Sequence, residues 1–169
     1  MSESLLKLES ITFHHIIISN FYQRKTHIVN LDSSQKVGEI LVNTPAITCL
    51  ILYGTDRVIL GVEDMSIQIW DLFLDECLRI MLGHTHWTRC LRLLDNGRHL
   101  ASGSNDTTIK IWDLLKKENH ECVQTLMGHT GSVLCLDESS HLNLILTGSN
   151  DSTIRVWDKE KVLKGFNLI

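Results

Sequence analysis

The chain has 169 residues and a formal net charge of -4, with 43% hydrophobic and 21% charged side chains. That is the length of one domain able to bury a substantial core, and its slight acidity (pI near 6.1) leaves no basic footprint for nucleic acid. No apolar run is long enough to cross a bilayer, and the opening MSESLLKLES has no signal-peptide pattern. The expected compartment is the cytoplasm, or the nucleus where a partner carries the chain there.

In chain order, strand-like runs fall in groups of four. Residues 1–42 read as a worn first group, with strands over 5–8, 15–19, 26–32 and 37–41 and a turn over 20–24. Residues 43–82 form a second group, with strands over 46–52, 57–62, 66–71 and 77–82, and Asp64 six positions before Trp70. Residues 83–127 open on Gly83-His84. Leu100-Ala101-Ser102 and Ile109-Lys110-Ile111-Trp112 read as strands joined by the turn-forming Gly103-Ser104-Asn105-Asp106-Thr107. Residues 128–169 repeat this from Gly128-His129 through Asp151 to Trp157-Asp158, with a last strand expected over 161–166. His84 stands 28 positions before Trp112, and His129 stands 28 before Trp157. Self-similarity at a period of 45, from His84 to His129 and from Trp112 to Trp157, marks stacked four-stranded units.

The five cysteines recur at matching places: Cys49, Cys90 and Cys135 on first strands, Cys77 and Cys122 at the start of fourth strands. Their odd number and dispersed spacing suggest neither disulfides nor a zinc site. They are expected to be small buried hydrophobes in a reducing compartment.

On the Gly-His and Trp-Asp repeats the chain resembles the WD40 family, most fully over residues 83–158. The resemblance implies an all-β, WD40-type β-propeller architecture of about four four-stranded blades, partial or open, where the family usually closes a ring of about seven or eight. It also implies a hydrogen-bonded tetrad in each blade: His84, Ser102, Asp106 and Trp112, then His129, Thr147, Asp151 and Trp157. Blade two keeps Asp64 and Trp70, but Val42 and Leu60 stand where His and Ser belong, so half of its network is expected to be missing. Blade one has Leu31 in the Trp place.

His84, Ser102 and Asp106 are also the ingredients of a hydrolase triad, but no nucleophile elbow accompanies them. The set recurs in the next blade with Thr147 for Ser102, which favours architecture over catalysis. No catalytic residue, cofactor or metal is expected: His84-Thr85-His86 and His14-His15 lack convergent further ligands.

Function is expected on the rim where Gly-His loops and hairpin turns meet. The candidates are Thr85, His86, Trp87, Arg89, Asn105, Thr130, Ser132 and Asn150. Trp87 and Arg89 are of the types that dominate binding energy, although Trp87 could equally fill space between blades. The implied role is a non-catalytic scaffold for protein or peptide partners, without nucleic acid or membrane. A substrate-recruiting ubiquitin-ligase subunit is the narrower alternative. Relatives that dock on the cullin-4 adaptor have Arg two positions after Trp-Asp, where this chain has Phe73, Leu115 and Glu160. Four blades leave open edges, which points to a fragment of a larger ring, an open half ring, or a homodimer.

Overall fold

The computed structural model describes the backbone of residues 5–12, 15–20, 25–30 and 35–40, and residues 46–72, 74, 76–116 and 122–165 with their side chains. It forms two compact units, Met1–Leu82 and Gly83–Ile169.

In the first unit, β1 (Leu5–Thr12), β2 (His15–Asn20), β3 (Lys25–Asn30) and β4 (Gln35–Ile40) pair in sequence order. A second sheet follows as β5 (Ile47–Tyr53), β6 (Arg57–Val62), β7 (Ile67–Asp71) and β8 (Glu76–Met81). Every neighbouring pair is antiparallel, as short turns between consecutive strands require. β6 is apolar at nearly every position and buried beyond its first residue, the pattern of a strand covered on both faces. Leu50, Val58, Leu60 and Val62 form the centre of this blade, with Trp70 and Leu72 packed against them.

The registers correct the alignment of blade one. The first residue of β6 pairs with the Asp after the tryptophan, Arg57 with Asp71. The same position in blade one pairs His15 with Asn30. Val29, not Leu31, therefore occupies the tryptophan's place; Leu31, Asp32, Val42 and the turn over 21–24 lie outside the described residues.

In the second unit, β9 (Thr88–Leu94), β10 (His99–Ser104), β11 (Ile109–Asp113) and β12 (Cys122–Leu126) make one sheet. β13 (Val133–Ser139), β14 (Leu144–Ser149) and β15 (Ile154–Asp158) make a three-stranded one. The two blades share a core of Leu94, Ala101, Ile109, Ile111, Val133, Ile145 and Trp157, and β13 packs along β9 and β10.

The strand expected over 161–166 is instead an α-helix, α1 (Lys159–Leu163). Asp158 accepts the Lys161 N–H at 3.0 Å as an N-cap. Lys159, Glu160 and Lys161 are good helix formers, and the fully buried Val162 anchors the turn in the shared core. Lys159 ties the helix down further. Its ammonium lies 2.7 Å from Glu138 of blade four and 3.2 Å from Asp95 of blade three. The Glu138 hydrogen bond raises its pKa above the ordinary lysine value, against the opposing effect of burial.

The cysteines also differ from expectation: Cys49, Cys77, Cys90 and Cys122 are half-buried and Cys135 is exposed. The Cys90 and Cys135 thiols lie against Gly103 and Gly148 of the paired strands, and Cys135 lines an open groove. Among the described residues no helix is long and apolar enough to cross a membrane.

Candidate functional site

In blades two, three and four the turn between the second and third strands carries an aspartate followed by a residue with left-handed backbone: Met65 (φ 71°), Thr107 (φ 70°) and Ser152 (φ 65°). That conformation is costly for a side-chain-bearing residue. It is held by the aspartate, whose Oδ1 accepts the N–H two positions on, at 2.9 Å in Ser66, Thr108 and Thr153 alike.

In blade three the turn is joined to the Gly-His loop. Asp106 Oδ2 receives His84 Nδ1 at 2.7 Å and the Thr85 N–H at 3.0 Å, while Oδ1 also receives the Thr108 hydroxyl at 2.6 Å. The other imidazole nitrogen, Nε2, lies 2.7 Å from Ser102 Oγ, which accepts the Trp112 indole N–H at 2.8 Å. The donor inventory orders the chain: the indole gives to the hydroxyl, the hydroxyl to Nε2, and Nδ1–H to the carboxylate. Blade four repeats it through Asp151, His129, Thr147 and Trp157, with His129 at 2.7 Å from the carboxylate and 2.8 Å from the threonine hydroxyl.

Burial pushes the Asp106 carboxyl up, but hydrogen bonds from His84 and Thr108 outweigh it and hold the group well below the usual carboxylate range. Asp151 is held low mainly by the Thr153 hydroxyl, against a smaller effect of burial.

The arrangement resembles a hydrolase triad in its contacts but not in its access. Ser102 is 0% exposed and its oxygen already accepts the tryptophan N–H. No substrate carbonyl can approach it, so His84, Ser102 and Asp106 hold structure together.

Blade two has a network that its sequence alone did not suggest. Ser66 Oγ donates to Asp64 Oδ1 at 2.5 Å, Gln68 Nε2 donates to Ser66 Oγ at 3.0 Å, and Trp70 Nε1 donates to Gln68 Oε1 at 2.9 Å. Aspartate and tryptophan are thus connected without histidine, by a path other than the tetrad, whose Ser place the buried Leu60 fills. Gln68 carries both a donor and an acceptor, so one side chain bridges what His and Ser bridge elsewhere. The repeated Asp-x-Ser/Thr of all three hairpins and the uncharged Gln68, where the other blades have Lys110 and Arg155, were the available signals.

The rim candidates come together within each blade. The Asn105 N–H donates to Trp87 O at 3.0 Å, and the Asn150 N–H to Ser132 O at 2.9 Å. Ser104 and Ser149 hydroxyls donate to His86 O at 3.0 Å and Gly131 O at 2.9 Å. Loop and turn are therefore laced through backbone, and their side chains stay available. Thr85, His86, Arg89, Thr130 and Asn150 are exposed; Trp87, Asn105 and Ser132 are half-buried. The Trp87 indole stands edge-on to His86, with centroids 5.6 Å apart.

Among the described residues no group of three or more His, Cys, Asp or Glu side chains is placed to hold a metal. His14 and Phe73 lie outside the described residues; Leu115 is exposed, and Glu160 sits exposed in α1.

The family model "WD domain, G-beta repeat" matches residues 75–113 and 120–158. Those two stretches are WD40 repeats. A solved WD40 β-propeller domain, that of Doa1, superposes with a TM-score of 0.79 at 22% identity, covering 90% of this chain and 50% of that one. The fold is thus that of WD40 propeller blades. Among curated relatives, a p21-activated protein kinase-interacting protein 1-like from Gallus gallus is 27% identical over 100 residues, which is 59% of this chain and 27% of that protein. Mitochondrial division protein 1 of Neurospora crassa is 47% identical over 53 residues, 31% of this chain and 8% of that protein. The aligned WD40 segments are thus a minor part of these relatives.

Proposed function

We propose that this WD40 chain is a non-catalytic scaffold that binds a protein or peptide partner through the rim of blades three and four. The supporting observation is the division of labour there. Backbone and buried tetrads fix the loops, while Thr85, His86, Arg89, Thr130 and Asn150 are exposed and His86 stands against the half-buried Trp87. A rigid backbone presenting polar groups around one aromatic lowers the ordering cost of binding and supplies an anchor. WD40 propellers in general serve protein interaction, which agrees with this geometry. No feature of the described residues favours the ubiquitin-ligase version.

The experiment is selection of a displayed peptide library on the immobilised chain, followed by Trp87→Ala. The expected result is at least tenfold weaker binding of selected peptides with an unchanged unfolding midpoint. Undiminished binding combined with a lowered midpoint would make Trp87 a packing residue and sink the rim assignment.

A further inference from the structure

The first strands of the second unit are not regular. In blade three, Thr88 pairs with Ser104 and Cys90 with Gly103, which leaves Arg89 as an extra residue. In blade four, Val133 pairs with Ser149 and Cys135 with Gly148, which leaves Leu134. A bulge of this kind turns its extra side chain out of the ladder. Arg89 is exposed, and so is Leu134, at 41%. They occupy the same place on neighbouring first strands, β9 and β13, which pack along one another.

The two arginines of β9 differ in what answers them. Arg92 meets Asp137 of β13 at 3.1 Å. Arg89 has no ion pair among the described residues. The rim segments 83–89, 104–108, 128–134 and 149–153 contain two carboxylates, Asp106 and Asp151. Each side chain is 7% exposed and takes four internal donors, so neither is free to answer Arg89. His86 adds an outward donor. Its Nδ1 accepts the Trp87 N–H at 2.7 Å, which leaves the proton of the neutral ring on Nε2. The rim thus offers a positive charge, a donor and an aliphatic side chain, with no exposed carboxylate in those segments.

We infer, on the basis of the rim assignment above, that the partner segment is an extended acidic peptide: Arg89 holds an Asp or Glu carboxylate, and Leu134 receives the apolar side chain beside it. A guanidinium presents paired donors that match the two carboxylate oxygens. A single exposed arginine fits one carboxylate, whereas phosphopeptides are held by arginine clusters. The charge of the peptide is an addition to the rim assignment, which Trp87 alone could satisfy.

An array of nonapeptides, varied in sequence around a fixed central pair and probed with the full chain, tests this. Glu-Leu peptides are expected to bind about tenfold tighter than their Gln-Leu and Lys-Leu counterparts, and to lose that margin in concentrated salt. Arg89→Gln should erase the margin with an unchanged unfolding midpoint. Arg89→Glu should turn the preference to Lys-Leu peptides, which a loss of structure could not do. Leu134→Ser should weaken Glu-Leu peptides and leave Glu-Ser peptides unchanged. Equal binding of Glu-Leu and Gln-Leu peptides overturns the acidic partner; where Trp87→Ala weakens both, the rim assignment survives without it. No binding in any series overturns both. Phosphoserine-Leu peptides bound about tenfold tighter than Glu-Leu ones overturn the carboxylate in favour of a phosphopeptide.

Discussion

Blade two and blade three connect the same two residues by different routes. In blade three the path from tryptophan to aspartate crosses to Ser102 on the paired strand of the hairpin, leaves the hairpin for His84 on the Gly-His loop and returns to the turn. In blade two it runs along the hairpin itself, through Gln68 and Ser66, residues two apart on one strand and its approach. Both satisfy a buried indole N–H, which would otherwise cost about 1–3 kcal/mol. Only the first also locks a loop to the turn. The demand for paired polar groups is general, whereas cross-linking of the rim is an additional property that histidine confers.

The comparison can be broken most strongly at the aspartates. Asp106→Ala removes the acceptor of four donors and should cost about 3 kcal/mol in the second unit. Asp64→Ala should cost about 1 kcal/mol, as for loss of a local cap. Urea denaturation monitored by tryptophan fluorescence measures both, and equal losses would show that the routes are energetically alike. Next in size, Gln68→Ala should destabilise the first unit by about 1–2 kcal/mol while leaving the transition of the second unchanged.

Acid sharpens the contrast. The folded-state pKa values of Asp106 and Asp151 lie below the unfolded value. Their contribution is therefore fully present above about pH 4 and is lost as pH falls below it toward the folded values. Unfolding free energies measured from pH 6 to pH 2 should fall for the wild type and fall less steeply for Asp106→Asn. Smallest of all, Thr107→Gly should raise the thermal midpoint slightly, by about 0.5 kcal/mol equivalent, because glycine relieves the left-handed backbone at φ 70°. A lowered midpoint would show that the threonine methyl packs for more than the strain costs.

Much of this was legible before any coordinates. Strand positions follow from alternation and turn residues, and the spacing of His84, Ser102, Asp106 and Trp112 repeats in blade four because both blades solve the same satisfaction problem. Gln68 was not legible as a bridge, since substitution of two partners by one changes the path and not merely a residue. The terminal helix was missed because repetition suggested a fourth strand, while Asp158 and the Lys159–Glu138 pair favour a capped turn. The place of Leu31 was missed because blade one has one more residue between paired strand ends, His15 to Asn30 against Arg57 to Asp71.

The one-way order of donors in the tetrad has a spectroscopic consequence. An imidazole Nδ1–H enclosed in a 0% exposed side chain and given to a carboxylate 2.7 Å away exchanges slowly with water and resonates far downfield of the amides. Blades three and four each carry such a proton, while the Gln68 bridge of blade two contains none. Two isolated proton resonances would thus report the closure of two neighbouring blades separately, without any label attached to the chain.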